Sequence, residues 1–268
     1  MCKECHEQMG YQMFTLERKE KIAVVGINRP AKMNAINTQL LNEMDVLLDE
    51  IARDEGILAV VLKGSEKFFA AGGDLGEMNE FQSVMEGFRY GSCVQRVFMK
   101  LANLPQATIA AVSGLALGGG CELCLACDIR IADENARFGL PEITVGVLPG
   151  GGGTQRLPRL IGAGRAKELL FIGEPIDVQE AYRIGLVNRI VPTSLLLDVA
   201  ISLAKKIAKR PRFGLQAIKK LVNEGLNMDL TSALSYETRC FGSLFGTEDQ
   251  KEGVSAFLEK RKPAFQGK

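Results

Sequence analysis

Glu122 and Glu142 lie 20 residues apart, each beside a cluster of glycines and each on the far side of a strand-turn unit. Two carboxyl groups brought together in an apolar pocket push their titrations apart, so one holds a proton while the other accepts one. That arrangement suits acid/base work on an unactivated water. The competing reading is that either glutamate makes a buried hydrogen bond or salt bridge, and spacing alone leaves both open. The residues around Glu122 add a second kind of chemistry. Residues 109–128, IAAVSGLALGGGCELCLACD, run from a β-branched apolar stretch through three glycines into a small-residue segment carrying this one carboxylate. The pattern predicts a buried strand, a turn and a helix. The N–H groups of Gly118, Gly119 and Gly120 then lie at a helix N-terminus, where unsatisfied donors favour negative charge.

Other chemistries are poorly supplied. The single histidine, His6, sits in the N-terminal tail, which excludes a Ser-His-Asp triad or a His-based metal site as the main chemistry. No glycine cluster has Walker A or G-x-G-x-x-G spacing, so nucleotide binding by those routes is unsupported. Cys2, Cys5 and His6 formally match a c-type haem attachment motif, but no export signal accompanies them. Adventitious metal binding or no function is the reading for that tail. Cys121, Cys124 and Cys127 recur every three residues and read as small buried apolar side chains.

The elements that must position the glutamates follow from periodicity. Residues 11–17 and 21–28 form a predicted hairpin, followed by an amphipathic helix in which Leu40, Leu41, Met44, Leu47, Leu48 and Ile51 share one face. Residues 57–64 read as a doubly buried strand, and Asp74, after Gly72 and Gly73, as a helix cap. A helix is predicted over 82–103 and strands over 107–112, 128–132 and 186–191, with helices over about 162–172 and 177–184. The alternation implies right-handed crossovers in an α/β arrangement. Four glycines after Pro149, flanked by Val147, Leu148 and Leu157, point to close backbone approach more than to a linker. Beyond Pro192 the pattern turns wholly helical, over 194–209, 212–225, 229–245 and 247–258. These helices need a larger surface to cover, on the core or on another subunit.

The 268 residues suit one large domain or a core with an appendage, and the net charge of +1 gives no global field for nucleic acid or an anionic membrane. The 46% apolar content is that of an ordinary globular chain. No apolar run approaches a membrane span, and the polar N-terminus lacks a secretory or transit pattern, so a cytoplasmic protein is expected.

Three segments, IAAVSGLALGGGCELCLACD, FAAGGDLGEM and FGLPEITVGVLPGGGGTQRLPRLIG, resemble in order and separation the enoyl-CoA hydratase/isomerase (crotonase) superfamily. The likeness runs from NRPAKMNAI to EDQKEGVSAFLEKRKPAF and is strongest with bacterial short-chain hydratases, which Leu140 before Pro141 and Glu142 also suggests. It implies an α/β spiral of ββα units over residues 11–195, a helical trimerisation region over 196–268 and a flexible tail over 1–10, assembled as a homotrimer or a hexamer built as a dimer of trimers. It further implies an acyl-CoA thioester substrate and no cofactor beyond the coenzyme A that the substrate carries. By position, Gly73 and Gly119 match the donors to the thioester oxygen, Glu122 and Glu142 the catalytic glutamates, and Gly150 a water-positioning donor. Ala71, Asp74, Leu75, Phe241 and Lys260 match CoA-binding positions. Gly73 replaces the more usual alanine, and Gly76 stands where many hydratases carry a lysine. Having both glutamates favours hydration of a trans-2-enoyl-CoA over double-bond isomerisation or another acyl-CoA reaction of the superfamily. Some crotonase-fold proteins bind RNA, for which Lys205, Lys206, Lys209, Arg210 and Arg212 are the nearest candidates; a solvated face is the plainer reading.

Overall fold

The computed structural model describes residues 10–268, so Cys2, Cys5 and His6 lie outside the described residues, as does the expected tail up to residue 9. β1 (Phe14–Lys19) and β2 (Ile22–Ile27) form the predicted hairpin, paired antiparallel. α1 (Thr38–Arg53) starts where the Asn37 side chain accepts from the Leu40 N–H, and it buries the six apolar residues read from its periodicity. β3 (Ala59–Lys63), β4 (Phe68–Ala70), α2 (Leu75–Asn79) and α3 (Val84–Ala102) complete the next unit. Asp74 caps α2 as its type and place predict, accepting from the N–H groups of Gly76 and Glu77. β5 (Ala107–Val112), β6 (Leu115–Leu117) and α4 (Gly119–Ala126) follow, then β7 (Ile129–Asp133) and β8 (Arg137–Gly139). After a 3₁₀ turn over Pro141–Val145 come α5 (Gly153–Ile161), α6 (Ala163–Ile172), β9 (Ile176–Asp177), α7 (Val178–Arg183) and β10 (Arg189–Val191).

Successive units contribute one strand to each of two sheets, which makes the winding a spiral. The larger sheet has the order β1-β2-β3-β5-β7-β10 and is parallel after its first pair. The smaller has the order β4-β6-β8-β9, with β4, β6 and β8 parallel. β2 is buried along its whole length, as a strand covered on both faces must be. The sequence reading differs from this in two places. The smaller sheet is missing from it, because strands of two or three residues carry no periodicity. The α5 helix is also missing, because four glycines precede it and Pro158 lies inside it; position 158 breaks the usual rule against interior proline.

α8 (Leu196–Ile207) lays Leu196, Ala200 and Ala204 against Ile22, Val24, Val61, Ile109 and Ile131, closing the outer face of the larger sheet. α9 (Arg212–Gly225) and α10 (Leu230–Leu244) bury none of their residues, and α11 (Glu248–Leu258) buries only Asp249 and Ala256. Ile218, Val222, Leu226, Leu230, Leu234, Phe257 and Leu258 on these helices are all more than half exposed. Among the described residues, no helix is long and apolar enough to cross a membrane.

Candidate active site

Two glycine turns supply donors. At the first, Met33 and Asn34 adopt left-handed backbone, and the buried Asn34 side chain donates to the Phe69 carbonyl at 3.0 Å while accepting from the Arg29 N–H at 2.9 Å. This brings residues 33–36 alongside 71–74. The Ala71 N–H donates to Met33, the Ile36 N–H to Gly72 at 2.7 Å, and the Asp74 N–H to Ile36 at 2.8 Å. Arg29 closes the clasp with an ion pair to Asp74 at 2.6 Å, and Tyr90 on α3 donates its hydroxyl to the Ile36 carbonyl at 2.9 Å. The Arg29 guanidinium and the α2 N–H groups hold the Asp74 carboxyl below the usual carboxylate range despite its partial burial, which works the other way. Between these bonded neighbours, the Gly73 N–H donates to no acceptor among the described residues.

At the second turn Gly118 has φ +50° and donates its N–H to the Gly139 carbonyl at 2.8 Å, leaving Gly119 as the first residue of α4 with an N–H that meets no acceptor among the described residues. Gly120 packs so closely on Ala70 that a side chain has no room. A Cβ placed on Gly119 would lie 3.6 Å from the Gly73 nitrogen, so the two unspent donors sit side by side. Substituting alanine at Gly73 sets its Cβ against the Met78 methyl and 3.3 Å from the Tyr90 hydroxyl, space that this chain fills with Met78.

Glu122 lies one turn into α4 and is 3% exposed. Its Oε1 accepts from the Gly153 N–H at 2.7 Å, at the N-terminus of α5. Burial raises its pKa, and the N–H groups of Gly153, Gly151 and Gly152 together with Arg156 oppose that rise. The four-glycine turn is thus a site of close approach. A Cβ on Gly151 would fall 2.8 Å from Glu122 Oε2 and 2.9 Å from Phe98, and one on Gly153 would fall 2.8 Å from Pro149 and 3.0 Å from Glu122 Oε1. Gly150 has open space where its Cβ would be, a free N–H among the described residues, and a carbonyl that accepts from Gln95 at 3.0 Å.

Glu142 sits in the 3₁₀ turn, with Oε1 3.1 Å from where a Gly118 Cβ would be. Its Oε2 is buried with no hydrogen-bond partner among the described residues. Burial pushes its pKa to about 7, and the nearby Glu122 charge adds to the rise. The structure therefore brings Gly73, Gly119, Glu122 and Glu142 to one place, the two carboxyl groups near enough to feel each other's charge.

The remaining candidates are less gathered. Ala71 and Asp74 have their polar groups engaged in the clasp, and Leu75 is exposed. Phe241 packs edge-to-face on Phe245 with ring centroids 5.1 Å apart, and Lys260, at φ +54°, makes no ion pair among the described residues. Cys121, Cys124 and Cys127 are buried, and Arg130 caps the α4 C-terminus by donating to the Cys124 and Cys127 carbonyls. Of the basic group near residue 210, Lys205 reaches Glu20 at 3.7 Å and Arg212 reaches Glu55 at 3.1 Å, which neutralises part of it. Sequence reasoning missed Arg29, Asn34, Tyr90 and Arg156. The first two lie within the NRPAKMNA stretch, residues 28–35, whose proline and asparagines mark a structured turn, the one signal that could have found them.

With a spiral of paired strands that brings two idle glycine amides beside the buried Glu122 and the half-buried Glu142, the chain belongs to the enoyl-CoA hydratase/isomerase family; the family match spans residues 17–268. Among curated relatives, the short-chain-enoyl-CoA hydratase of Clostridium acetobutylicum is 48% identical over 248 residues, covering 92% of this chain and 95% of that protein. The crotonyl-CoA hydratase of Syntrophomonas wolfei is 45% identical over 258 residues, covering 96% and 99%. Among solved structures, the enoyl-CoA hydratase from Bacillus anthracis superposes with a TM-score of 0.93 at 39% identity, covering 96% of this chain and all of that one.

Proposed function

We propose that this protein reversibly hydrates a short-chain trans-2-enoyl-CoA, such as crotonyl-CoA, to the 3-hydroxyacyl-CoA. The observation that carries the reading is the retention of both glutamates in one buried site beside two unspent N–H donors. In this reading the thioester oxygen lies between the Gly73 and Gly119 N–H groups. Negative charge grows on that oxygen as water adds at C3, and preorganised donors stabilise it by several kcal/mol, about 3–4 for one donor. Glu122 accepts a proton from the water, whose oxygen bonds to C3. Electrons of the 2,3 double bond move toward the thioester, and Glu142 gives its proton to C2 as the enolate collapses. The two acids finish with protonation exchanged and reset through solvent. A carboxyl with its pKa near neutrality suits the donor role of Glu142, and the N–H groups at α5 suit an anionic Glu122. The Gly150 N–H is in this reading the group that orients the water.

The names of the Clostridium and Syntrophomonas relatives support the short-chain choice. The exposed apolar side chains of α9 to α11 support assembly into trimers or hexamers, with Phe241 and Lys260 meeting the CoA end of a substrate partly across a subunit boundary. A cytoplasmic location without cofactor, membrane or nucleic-acid partner completes the proposal. The test is loss of the conjugated-enoyl absorbance of crotonyl-CoA, with product identified as the 3-hydroxyacyl thioester and not a shifted double bond. Glu122→Gln and Glu142→Gln should each lower the rate at least about a hundredfold; near-normal turnover in both would overturn the two-glutamate mechanism.

A further inference from the structure

Arg156 is a half-buried cation without a carboxylate within 4.0 Å among the described residues. Charges removed from water normally have a counter-charge close by. The Arg156 Nη1 donates to the Gly151 carbonyl at 2.7 Å. The Nη1 end of its guanidinium abuts Gly152, so that a Cβ there would collide with Nη1 and stand 3.1 Å from Cζ. Gly152 has φ +110°, so this residue is glycine on two grounds, backbone conformation and the guanidinium beneath it. On the other side of the same turn, Gly151 abuts Glu122 Oε2 and Gly153 donates to Oε1. One layer of glycine backbone separates the unneutralised cation from the buried carboxylate.

Resting on the hydratase reading above, we propose that Arg156 is the positioning residue that makes Glu122 the anionic member of the glutamate pair. It acts in two ways. By clamping the Gly151 carbonyl it fixes the turn whose N–H groups face Glu122, and by its charge it offsets the loss of water around that carboxylate. The other titratable groups facing Glu122 are Glu142 from the 3₁₀ turn, Tyr90 from α3 and Cys121 on its own helix, and none of them is cationic. The neighbouring β4 and β6 strands contribute only Phe, Ala and Leu. Arg130 lies at the opposite end of α4, with its donors committed to the Cys124, Cys127 and Leu186 carbonyls. Among the described residues Glu142 has no equivalent cation, so the two glutamates differ in electrostatic surroundings as well as in hydrogen bonding.

The experiment is a carboxyl ¹³C NMR titration of the full-length, glutamate-labelled protein, with the Glu122 resonance assigned by its absence in Glu122→Gln. Arg156→Gln keeps an amide able to donate to Gly151 but removes the charge, and should raise the Glu122 midpoint by about one pH unit or more. Arg156→Lys keeps the charge and should leave the midpoint near that of the wild type. The acid limb of the kcat/KM profile should move with the NMR midpoint, costing Arg156→Gln roughly tenfold in rate on the acid side while KM stays within about twofold. Should Arg156→Gln fail to fold, Arg156→Met retains the packing of the side-chain stem and carries the same titration. An unchanged midpoint in the charge-free variant, or an equal rise in Arg156→Lys, overturns the proposal. The NMR readout needs no turnover, so an inactive wild type would defeat the hydratase reading and leave the Arg156 result standing by itself.

Discussion

At Gly73 and Gly119 the backbone N–H groups are left without an acceptor among the described residues, whereas at Gly153 the N–H is spent on Glu122 at 2.7 Å. The two regions have nearly the same composition. They differ in what surrounds the amides: at the first, the Ile36, Asp74 and Gly118 N–H groups are bonded to carbonyls, and the Gly73 and Gly119 N–H groups meet no acceptor among the described residues. At the second, a buried carboxylate lies against the turn and a guanidinium lies beneath it. Glycine thus serves to keep a donor idle in one place and to let a charge come close in the other.

Each side of that contrast can be broken separately. Proline is tolerated at the first position of a helix, where Gly119 sits, and there it would remove the N–H without unfolding α4. Gly119→Pro should lower kcat by about 10²–10³-fold, and because its ring starts with a Cβ 3.3 Å from Ile36 Cδ1 and 3.6 Å from the Gly73 nitrogen it should raise KM as well, measured by steady-state hydration of crotonyl-CoA; an effect confined to KM would mean the donor does not act in the transition state. The next effect concerns Glu142, the carboxyl that no glycine N–H relieves. Its pKa is raised to about 7 in the folded protein, so the folded state keeps a proton that the unfolded chain has lost. The sign is that stability is complete below the unfolded value and declines as pH rises through about 7, by about 2 kcal/mol. Urea melts between pH 4.5 and 7.5 should show this slope in the wild type and lose most of it in Glu142→Gln.

A smaller loss is expected at the second turn. Gly151→Ala drives a methyl against Glu122 Oε2 and Phe98, and should reduce kcat about tenfold while lowering stability by about 1–2 kcal/mol in chemical denaturation. Smallest of all is Gly150→Ala. Open space receives the methyl and the N–H survives, so rate and melting temperature should stay within about twofold and about 2 °C of wild type. A large loss there would show that backbone freedom, and not space, is what position 150 requires.

Regular patterns were readable directly: α1 buries one periodic set of side chains, and β5 is a short continuous apolar run buried from Thr108 to Val112, so the buried face of the one and the limits of the other follow from residue order alone. The cap role of Asp74 was also legible, since an aspartate after glycines and before a helical turn has few other uses. The pairing of Glu122 with Glu142 needed the family likeness, because nothing local states that residues 20 apart share a pocket. The smaller sheet and α5 escaped for physical reasons. Strands of three residues are held by neighbours in the spiral more than by their own pattern, and Pro158 and the glycines before it argue locally against the helix that tertiary packing imposes. Arg156 and Arg29 escaped because an arginine's partner is chosen in space, and both of theirs lie on backbone or side chains that only the folded chain brings near.

The idle amides at Gly73 and Gly119 also have a consequence for hydrogen exchange. Their neighbours are locked, with the Ile36, Asp74 and Gly118 N–H groups bonded at 2.7–2.8 Å, so exchange at those positions requires the spiral to open. Gly73 and Gly119 need no opening at all. In deuterated water they should label early, two fast amides in a slow surrounding, and an acyl-CoA thioester seated between them would turn both slow.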